Sequence, residues 1–182
     1  MEKMSYRREI VTSETNSRPL VVRRVWLVLI IIVTAVLQNT GIFPPEIFGF
    51  SALPLLPLAV CISMFEREWA GTLICVLAGV LCDMPLAEGD GFYAIFFLVI
   101  CFITSLLITS RMRNNLMTAF LIGSVACLLQ ALVYWLVFYV FKGYGQTLFF
   151  TYYLPCAIYT FLFMPVFYFI VRAIFAKYQT EN

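Results

Sequence analysis

The chain has 182 residues, of which 63% are hydrophobic and 12% are charged, and its formal net charge is +2. Soluble domains average about 45–50% apolar and about 25% charged residues, so this composition excludes an ordinary soluble fold. The apolar runs are continuous and lack the period of two that strands of a membrane β-barrel show. The chain is therefore predicted to be an all-α integral membrane protein with one helical domain.

The residue types that usually carry chemistry are scarce. The sequence contains no histidine, which removes the usual general base and the commonest metal ligand. Its six cysteines lie in or beside apolar runs and form no CxxC pair, so we interpret them as small apolar residues. The sequence has no Walker loop, GxSxG or HExxH motif. We expect a protein that is not an enzyme and holds neither a metal ion nor a cofactor.

Hydropathy predicts a bundle of six transmembrane helices. In chain order they cover residues 25–40, 48–65, 69–82, 91–109, 116–141 and 148–171. The chain then divides into a basic N-terminal tail (1–24), a transmembrane domain (25–171) and a short C-terminal tail (172–182). Pro54 and Pro57 lie inside the second predicted helix, which we expect to be kinked or partly broken because prolines free backbone carbonyls. A charged turn, Glu66-Arg67-Glu68, separates it from the third.

The third predicted helix carries a stripe of small residues that ends in a carboxylate. Four residues recur at every fourth position and therefore share one helix face: Gly71, Cys75, Gly79 and Asp83. Such a stripe lets the backbone of a neighbouring helix approach closely in lipid. An ionisable residue at membrane depth is costly, so Asp83 has either a functional or a structural task.

The structural task that we expect for Asp83 involves the fourth helix. Gly91 follows a turn-rich loop and opens that helix, whose first backbone N–H groups lack partners and favour a carboxylate. Asp83 is predicted to accept hydrogen bonds from them. Together with the rest of the stripe and Gly91, Asp83 makes up the predicted set of helix-packing residues.

The distribution of charge orients the predicted helices. With a cytoplasmic N-terminus, eleven of the twelve Lys and Arg residues lie in cytoplasmic segments, and only Lys142 lies outside. The outside loops hold acidic residues instead, namely Glu46, Asp83, Glu88 and Asp90. Both termini are therefore predicted to be cytoplasmic. We expect the basic tail to contact anionic lipid headgroups rather than nucleic acid.

One sequence block and the overall layout resemble a known family. The block is Gly71-x7-Gly79-x3-Asp83, followed by a short loop and by Gly91 at the start of an aromatic helix. With six predicted spans in a chain of this length, it resembles the rod shape-determining protein MreD family. The resemblance implies a non-enzymatic component of the bacterial cytoplasmic membrane that scaffolds peptidoglycan synthesis in the rod complex. It also implies a single-span MreC-like partner and, through it, MreB, RodA and a transpeptidase penicillin-binding protein.

A second interpretation belongs to another class of protein. The substrate-binding subunits of energy-coupling-factor vitamin transporters are also six-helix proteins of this size, and their helix packing is similar to that expected for the MreD family. They bind a small molecule near the outer face. In this chain the pocket would be lined by Asp83, Tyr93, Gln130, Tyr134 and Trp135. The first predicted helix lacks the expected alanine-xxx-alanine docking stripe, since Ala35 stands alone, and the shape-protein interpretation is therefore favoured.

Overall fold

All regular elements in the described part of the chain are helices. The structure, a computed structural model, describes residues 2–41, 44–45, 50–66, 69–84, 91–110, 114–142 and 149–178, and it describes no side chains in 2–19 and 138–142. The helices are α1 (Glu2–Asn39), α2 (Leu55–Phe65), α3 (Trp69–Asp83), α4 (Phe92–Ser110), α5 (Leu116–Lys142), α6 (Leu154–Leu162) and α7 (Met164–Lys177). A π turn, Phe149–Tyr153, leads directly into α6.

Four segments of the described chain are long and apolar enough to cross a membrane. They are Leu20–Asn39, Phe92–Ser110, Leu116–Val137 and Phe149–Lys177, the last of which combines the π turn, α6 and α7. The apolar helices α2 and α3 are shorter, with 11 and 15 residues. At 1.5 Å per residue, α2 is about 16 Å long, roughly half of the ~30 Å hydrocarbon core of a bilayer.

The short helix α2 lies at the centre of the bundle. It contacts every other α-helix, and all its residues except Phe65 are buried. A helix that is apolar on all sides is stable only when other elements surround it, and the sequence of α2 has that character. The surrounding helices instead expose large apolar side chains on their far faces, including Leu29, Leu98 and Leu128. These exposed faces are suited to lipid.

Polar contacts that join the termini of neighbouring helices show where the two ends of the bundle lie. At one, which we call the Glu66 end, Glu66 follows α2 and contacts Arg23 in α1. The start of α5 and the last turns of α7 lie there too, since Asn114 donates to the Met64 carbonyl and Arg23 lies over the ring of Phe175. Helix α2 therefore ends beside the segment of α1 that begins the first candidate span.

At the other end, which we call the Asp83 end, Asn39 at the end of α1 donates to the carbonyl of Leu81 in α3. Asp83 accepts hydrogen bonds from the first turn of α4. Helices α1 and α3 therefore run in the same direction, while α2 and α4 run in the opposite one. Of the predicted acidic outside residues, Glu46, Glu88 and Asp90 lie outside the described part of the chain.

Three predicted helices have a bound that differs from the structure by more than one residue. Helix α1 begins at Glu2, so the predicted basic tail is helical and continuous with the first span. The second predicted helix was too long, because α2 begins only at Leu55. Pro54 is its N-cap and Pro57 lies in its first turn, where a missing N–H group costs nothing. The break thus falls at the start of the helix rather than in its interior.

The last predicted helix is also interrupted. It continues to Lys177, but the π turn precedes α6 and Phe163 separates α6 from α7. Pro155 and Pro165 each lie at the first or second position of a helix. Each proline therefore marks a place where the chain starts a new helical segment, since the ring can be accommodated only in a first turn.

Candidate functional site

The stripe on α3 is buried along its whole length, and its second glycine contacts α4. A Cβ atom added at Gly79 would lie 2.6 Å from the Tyr93 carbonyl oxygen and 2.7 Å from the Ala94 Cα. The backbone of α4 thus passes directly over this position. Helices α3 and α4 also form the most extensive helix contact among the described residues. The absence of a side chain at Gly79 is what allows this approach.

The other end of the stripe contacts α2. A Cβ atom at Gly71 would lie 2.6 Å from the carbonyl oxygen of Glu66, just beyond the end of α2. One helical turn further along, the Cys75 thiol donates to the carbonyl oxygen of Ala59 at 3.2 Å. The stripe therefore packs α3 against the central helix and then against α4.

Asp83 supplies the N-terminal cap of α4. Its Oδ1 accepts a hydrogen bond from the Tyr93 N–H at 3.1 Å, and its Oδ2 accepts one from the Ala94 N–H at 2.9 Å. These are the second and third residues of α4, whose N–H groups normally bond the side chain of the residue preceding the helix. That residue is Gly91, which has no side chain. Asp83 therefore does from a neighbouring helix what an N-cap residue does locally, and the positive end of α4 favours its charge.

Glycine is required at position 91 by the backbone conformation and not by close packing against another helix. Its φ is +65°, a value that other residues rarely adopt, and nothing lies within 4 Å of the position a Cβ would occupy. Its carbonyl accepts the first hydrogen bond of α4, from the Ile95 N–H. Gly91 thus turns the chain into α4, where Asp83 can reach the free N–H groups.

An ion-pair cluster at the Glu66 end was not singled out by the sequence analysis. The carboxylate of Glu66 bonds Arg23 through Oε2 at 2.6 Å and Arg24 through Oε1 at 2.9 Å. The Glu66 side chain is 1% exposed, and those of Arg23 and Arg24 are 13% and 45% exposed. The Arg23 guanidinium also lies 4.3 Å from the centroid of the Phe175 ring. This cluster joins α1, the end of α2 and α7.

Both ends of α2 bond polar side chains from other segments. At its start, the Leu55 N–H donates to the Gln38 side-chain oxygen at 3.3 Å, and the Leu53 N–H donates to the Thr160 hydroxyl at 3.0 Å. At its end, Asn114 donates to the Met64 carbonyl at 3.1 Å. These partners come from α1, from α6 and from the residues before α5. Backbone groups that a short helix leaves without partners are thereby satisfied.

A cavity of about 250 Å³ lies beside the start of α2. It is bounded by the residues that precede α2 and by α4, α5, the π turn and α6. Of the five predicted pocket residues, Tyr93, Gln130 and Tyr134 line it, whereas Asp83 and Trp135 do not. Asp83 is instead occupied by the backbone of α4.

The cysteines and carboxylates of the described residues are not arranged as a metal site. All six cysteines are free, and all but Cys156 are buried. Within the described ranges, no three Cys, Asp or Glu side chains come close enough together to hold a metal ion. The polar side chains of this part of the chain mainly join one helix to the next.

The fold and these contacts define a multi-pass α-helical membrane protein. The family model described as rod shape-determining protein MreD matches residues 21–178. The chain therefore belongs to the MreD family, which confirms the resemblance seen in the sequence and gives the protein a role in rod shape determination.

No curated protein matches the chain, and no solved structure matches it either. The expected likeness to the substrate-binding subunits of energy-coupling-factor transporters therefore stays a prediction about the fold. The family match also gives no support to a role as such a subunit.

Replacement of Gly79 by alanine tests the close approach of α4. The new methyl group would overlap the backbone of α4, so Gly79→Ala is expected to lower the free energy of unfolding by about 1–3 kcal/mol. Unfolding of the purified protein in dodecyl sulfate mixed micelles measures this. The matched control is Gly123→Ala, whose methyl would meet the flexible end of Met164 at 2.6 Å. Equal effects of the two variants would contradict the assigned role of Gly79.

Two substitutions of Asp83 test its role as the cap of α4. Asp83→Leu removes both acceptors and is expected to cost about 0.5–2 kcal/mol of stability, as other cap deletions do. Asp83→Asn keeps one acceptor oxygen in a side chain of the same shape, so its loss should be smaller. Hydrogen exchange of the Tyr93 and Ala94 amides should speed up most in Asp83→Leu. Unchanged exchange at these two amides would show that Asp83 does not cap the helix.

The ion-pair cluster predicts that Glu66 and Arg24 contribute unequally to stability. Glu66→Gln removes the buried carboxylate and leaves the partly buried Arg23 without its ion-pair partner, so it should destabilise the fold by about 3–5 kcal/mol. Arg24→Gln removes a more exposed partner and should cost at most about 1 kcal/mol. Combining Glu66→Gln with Arg23→Gln should recover part of the loss, since no uncompensated charge then stays buried. If the double variant is no more stable than Glu66→Gln alone, the assignment is wrong. Unfolding in mixed micelles again measures each variant.

Proposed function

We propose that this protein is a membrane scaffold of the rod complex, and that its helical bundle binds the transmembrane helix of a single-span MreC-like protein. The family match over residues 21–178 is the observation that carries the proposal. MreB, RodA and a transpeptidase penicillin-binding protein join the assembly through that partner. The protein thereby supports peptidoglycan synthesis along the cell without catalysing a step of it.

The arrangement of the described residues supports such a role. The polar contacts at the Asp83 and Glu66 ends connect helices of the chain to each other. The outer faces of α1, α4 and α5 expose large apolar side chains, among them Val33, Leu106 and Val125. A partner that is embedded in the same membrane can contact such faces through van der Waals packing. A rigid bundle with apolar outer faces suits a protein that holds another helix in place.

The orientation of the bundle is also a proposal. We infer that the Glu66 end faces the cytoplasm, because Arg23, Arg24 and the end of α7 with Lys177 lie there, and basic residues favour the cytoplasmic side. The Asp83 end then faces outward. On this basis the chain crosses the cytoplasmic membrane six times, and residues 1–24 contact anionic lipid.

Reporter fusions test this orientation. Fusions after Asp90 and Gly145 should show activity on the outside, whereas fusions after Arg67, Arg113 and Lys177 should show it in the cytoplasm. A reporter active only in the cytoplasm and one active only outside, fused at each position, control for expression. Two or more positions with reversed activity would contradict the six-span arrangement.

Purification from the native membrane tests the scaffold role. The wild-type protein should co-purify with a single-span membrane protein, and Gly79→Leu should recover less of it because the helix contact that shapes the bundle is overpacked. Gly123→Ala serves as the control and should recover a normal amount. Recovery of the protein with an ATP-binding-cassette module and a bound vitamin, and without a single-span partner, would show that the scaffold proposal is wrong.

A further inference from the structure

The proposed scaffold role does not account for the cavity beside α2. Its wall combines the backbone before α2, the Gln130 amide, the Thr160 hydroxyl and several tyrosine side chains. Among the described residues, no Lys, Arg, Asp or Glu lines it. The cavity is therefore polar but uncharged, an uncommon combination in an otherwise apolar bundle. A ligand that matches it must form hydrogen bonds without carrying a charge.

Packed aromatic rings form one side of the cavity. The rings of Tyr93 and Tyr134 are nearly parallel, with centroids 6.0 Å apart, and Tyr153 lies 5.7 Å from Tyr134. Tyr152 continues the row at 5.5 Å from Tyr153. Tyr93 is buried, whereas Tyr152 is 39% exposed, so the row leads from the interior to the surface. The planes of successive rings are tilted by 25°, 57° and 87°, so the row is a packed aromatic wall rather than one flat face. The apolar side of a ligand can pack against such a wall.

The lining excludes three classes of ligand. An anion would find no Lys or Arg side chain among the described residues of the wall. A quaternary ammonium group could lie against the tyrosine faces, but it would find no counter-charge and could not hydrogen-bond to Gln130. A hydrocarbon would cover the polar groups of the wall, including the Gln130 amide that already bonds Tyr93, without offering them a further hydrogen bond. A group with apolar faces and a rim of neutral hydroxyls meets all these requirements.

We propose that the cavity binds a single neutral sugar ring, either of a free glycoside or of a glycolipid headgroup. The apolar face of the ring packs against the tyrosine row, and its hydroxyls bond the Gln130 amide and the tyrosine hydroxyls. The volume of about 250 Å³ lies just below the ~300–1,000 Å³ of pockets for drug-sized ligands, which fits one ring. The site does not depend on the scaffold role. On the proposed orientation it lies near the outer face, because Tyr93 in its wall belongs to the first turn of α4, which is at the Asp83 end.

The chain supplies its own probe for this site. Cys156 lines the cavity and is half-buried, while the other five cysteines are buried. A thiol reagent should therefore modify Cys156 first in the full-length protein, purified without glycoside detergents and placed in nanodiscs of phosphatidylethanolamine and phosphatidylglycerol. We expect methyl β-glucoside to slow this modification. Methyl β-glucuronide, which differs by one carboxylate, and tetramethylammonium should not.

Two variants distinguish a site from an unspecific effect. Gln130→Leu should weaken protection by methyl β-glucoside about tenfold, which is the effect of one lost hydrogen-bonding group. Without glucoside, Cys156 of this variant should still be modified. Tyr152→Phe, at the exposed mouth, removes the hydroxyl that bonds the Cys156 thiol. Its protection is therefore taken as the ratio of its own modification rates with and without glucoside, and this ratio should fall less than in Gln130→Leu. The matched control is Tyr159→Phe, since that hydroxyl donates to the Pro45 carbonyl and not into the cavity.

Several outcomes would overturn the proposal. They are no protection by either methyl β-glucoside or glucosyl diacylglycerol, equal protection by the glucuronide or by tetramethylammonium, and undiminished protection in both cavity variants. The source of the sugar follows from a second set of nanodiscs that contain glucosyl diacylglycerol. Protection in these nanodiscs without added glucoside would assign the site to a glycolipid headgroup. Protection by free glucoside alone would assign it to a soluble sugar.

Discussion

The structure depends on hydrogen bonds to the backbone N–H and C=O groups at the ends of α2, a short helix that is buried inside a membrane domain. Helix α2 has only 11 residues and every other α-helix packs against it, so unpaired N–H and C=O groups at its ends would be costly. Gln38, Thr160 and Asn114 provide the missing partners, each from a different segment of the chain. The charge of Glu66 is neutralised in the same way by Arg23. Helix α2 is therefore stable only when the surrounding segments are packed against it.

The same dependence extends to α3 and α4. Gly79 lets the two helices approach, and Asp83 can then reach the N–H groups at the start of α4. Neither feature works alone: without the close approach the carboxylate would be too far away, and without the carboxylate the start of α4 would lack its cap. A bundle connected in this way keeps its outer faces in fixed relative positions. Fixed faces are what a protein of a shape-determining family requires if it is to hold other membrane proteins.

The sequence predicted the features that depend on residues close together along the chain. Hydropathy predicted the four longest spans, and regular spacing within one helix predicted the stripe on α3 and the position of Asp83. The start of α2 was missed because the apolar run continues through Pro54, and hydropathy does not separate an extended apolar segment from a helix. The Glu66 cluster was missed because its members come from distant parts of the chain. The cavity was predicted only in part, since its lining depends on how α5 and α6 pack against α4.

The hydrogen bond between Leu53 and Thr160 has a consequence for biogenesis. The two residues are 107 positions apart, so Thr160 leaves the ribosome long after Leu53 has been synthesised. The α3–α4 hairpin, by contrast, is completed by residues ten or eleven positions apart and can form as soon as it is synthesised. The entrance to α2 must therefore wait for most of the chain. During that interval the segment before α2 must be bound by the insertion machinery or lie at the membrane surface. Nascent chains truncated before α6 should therefore be targets for quality-control proteases.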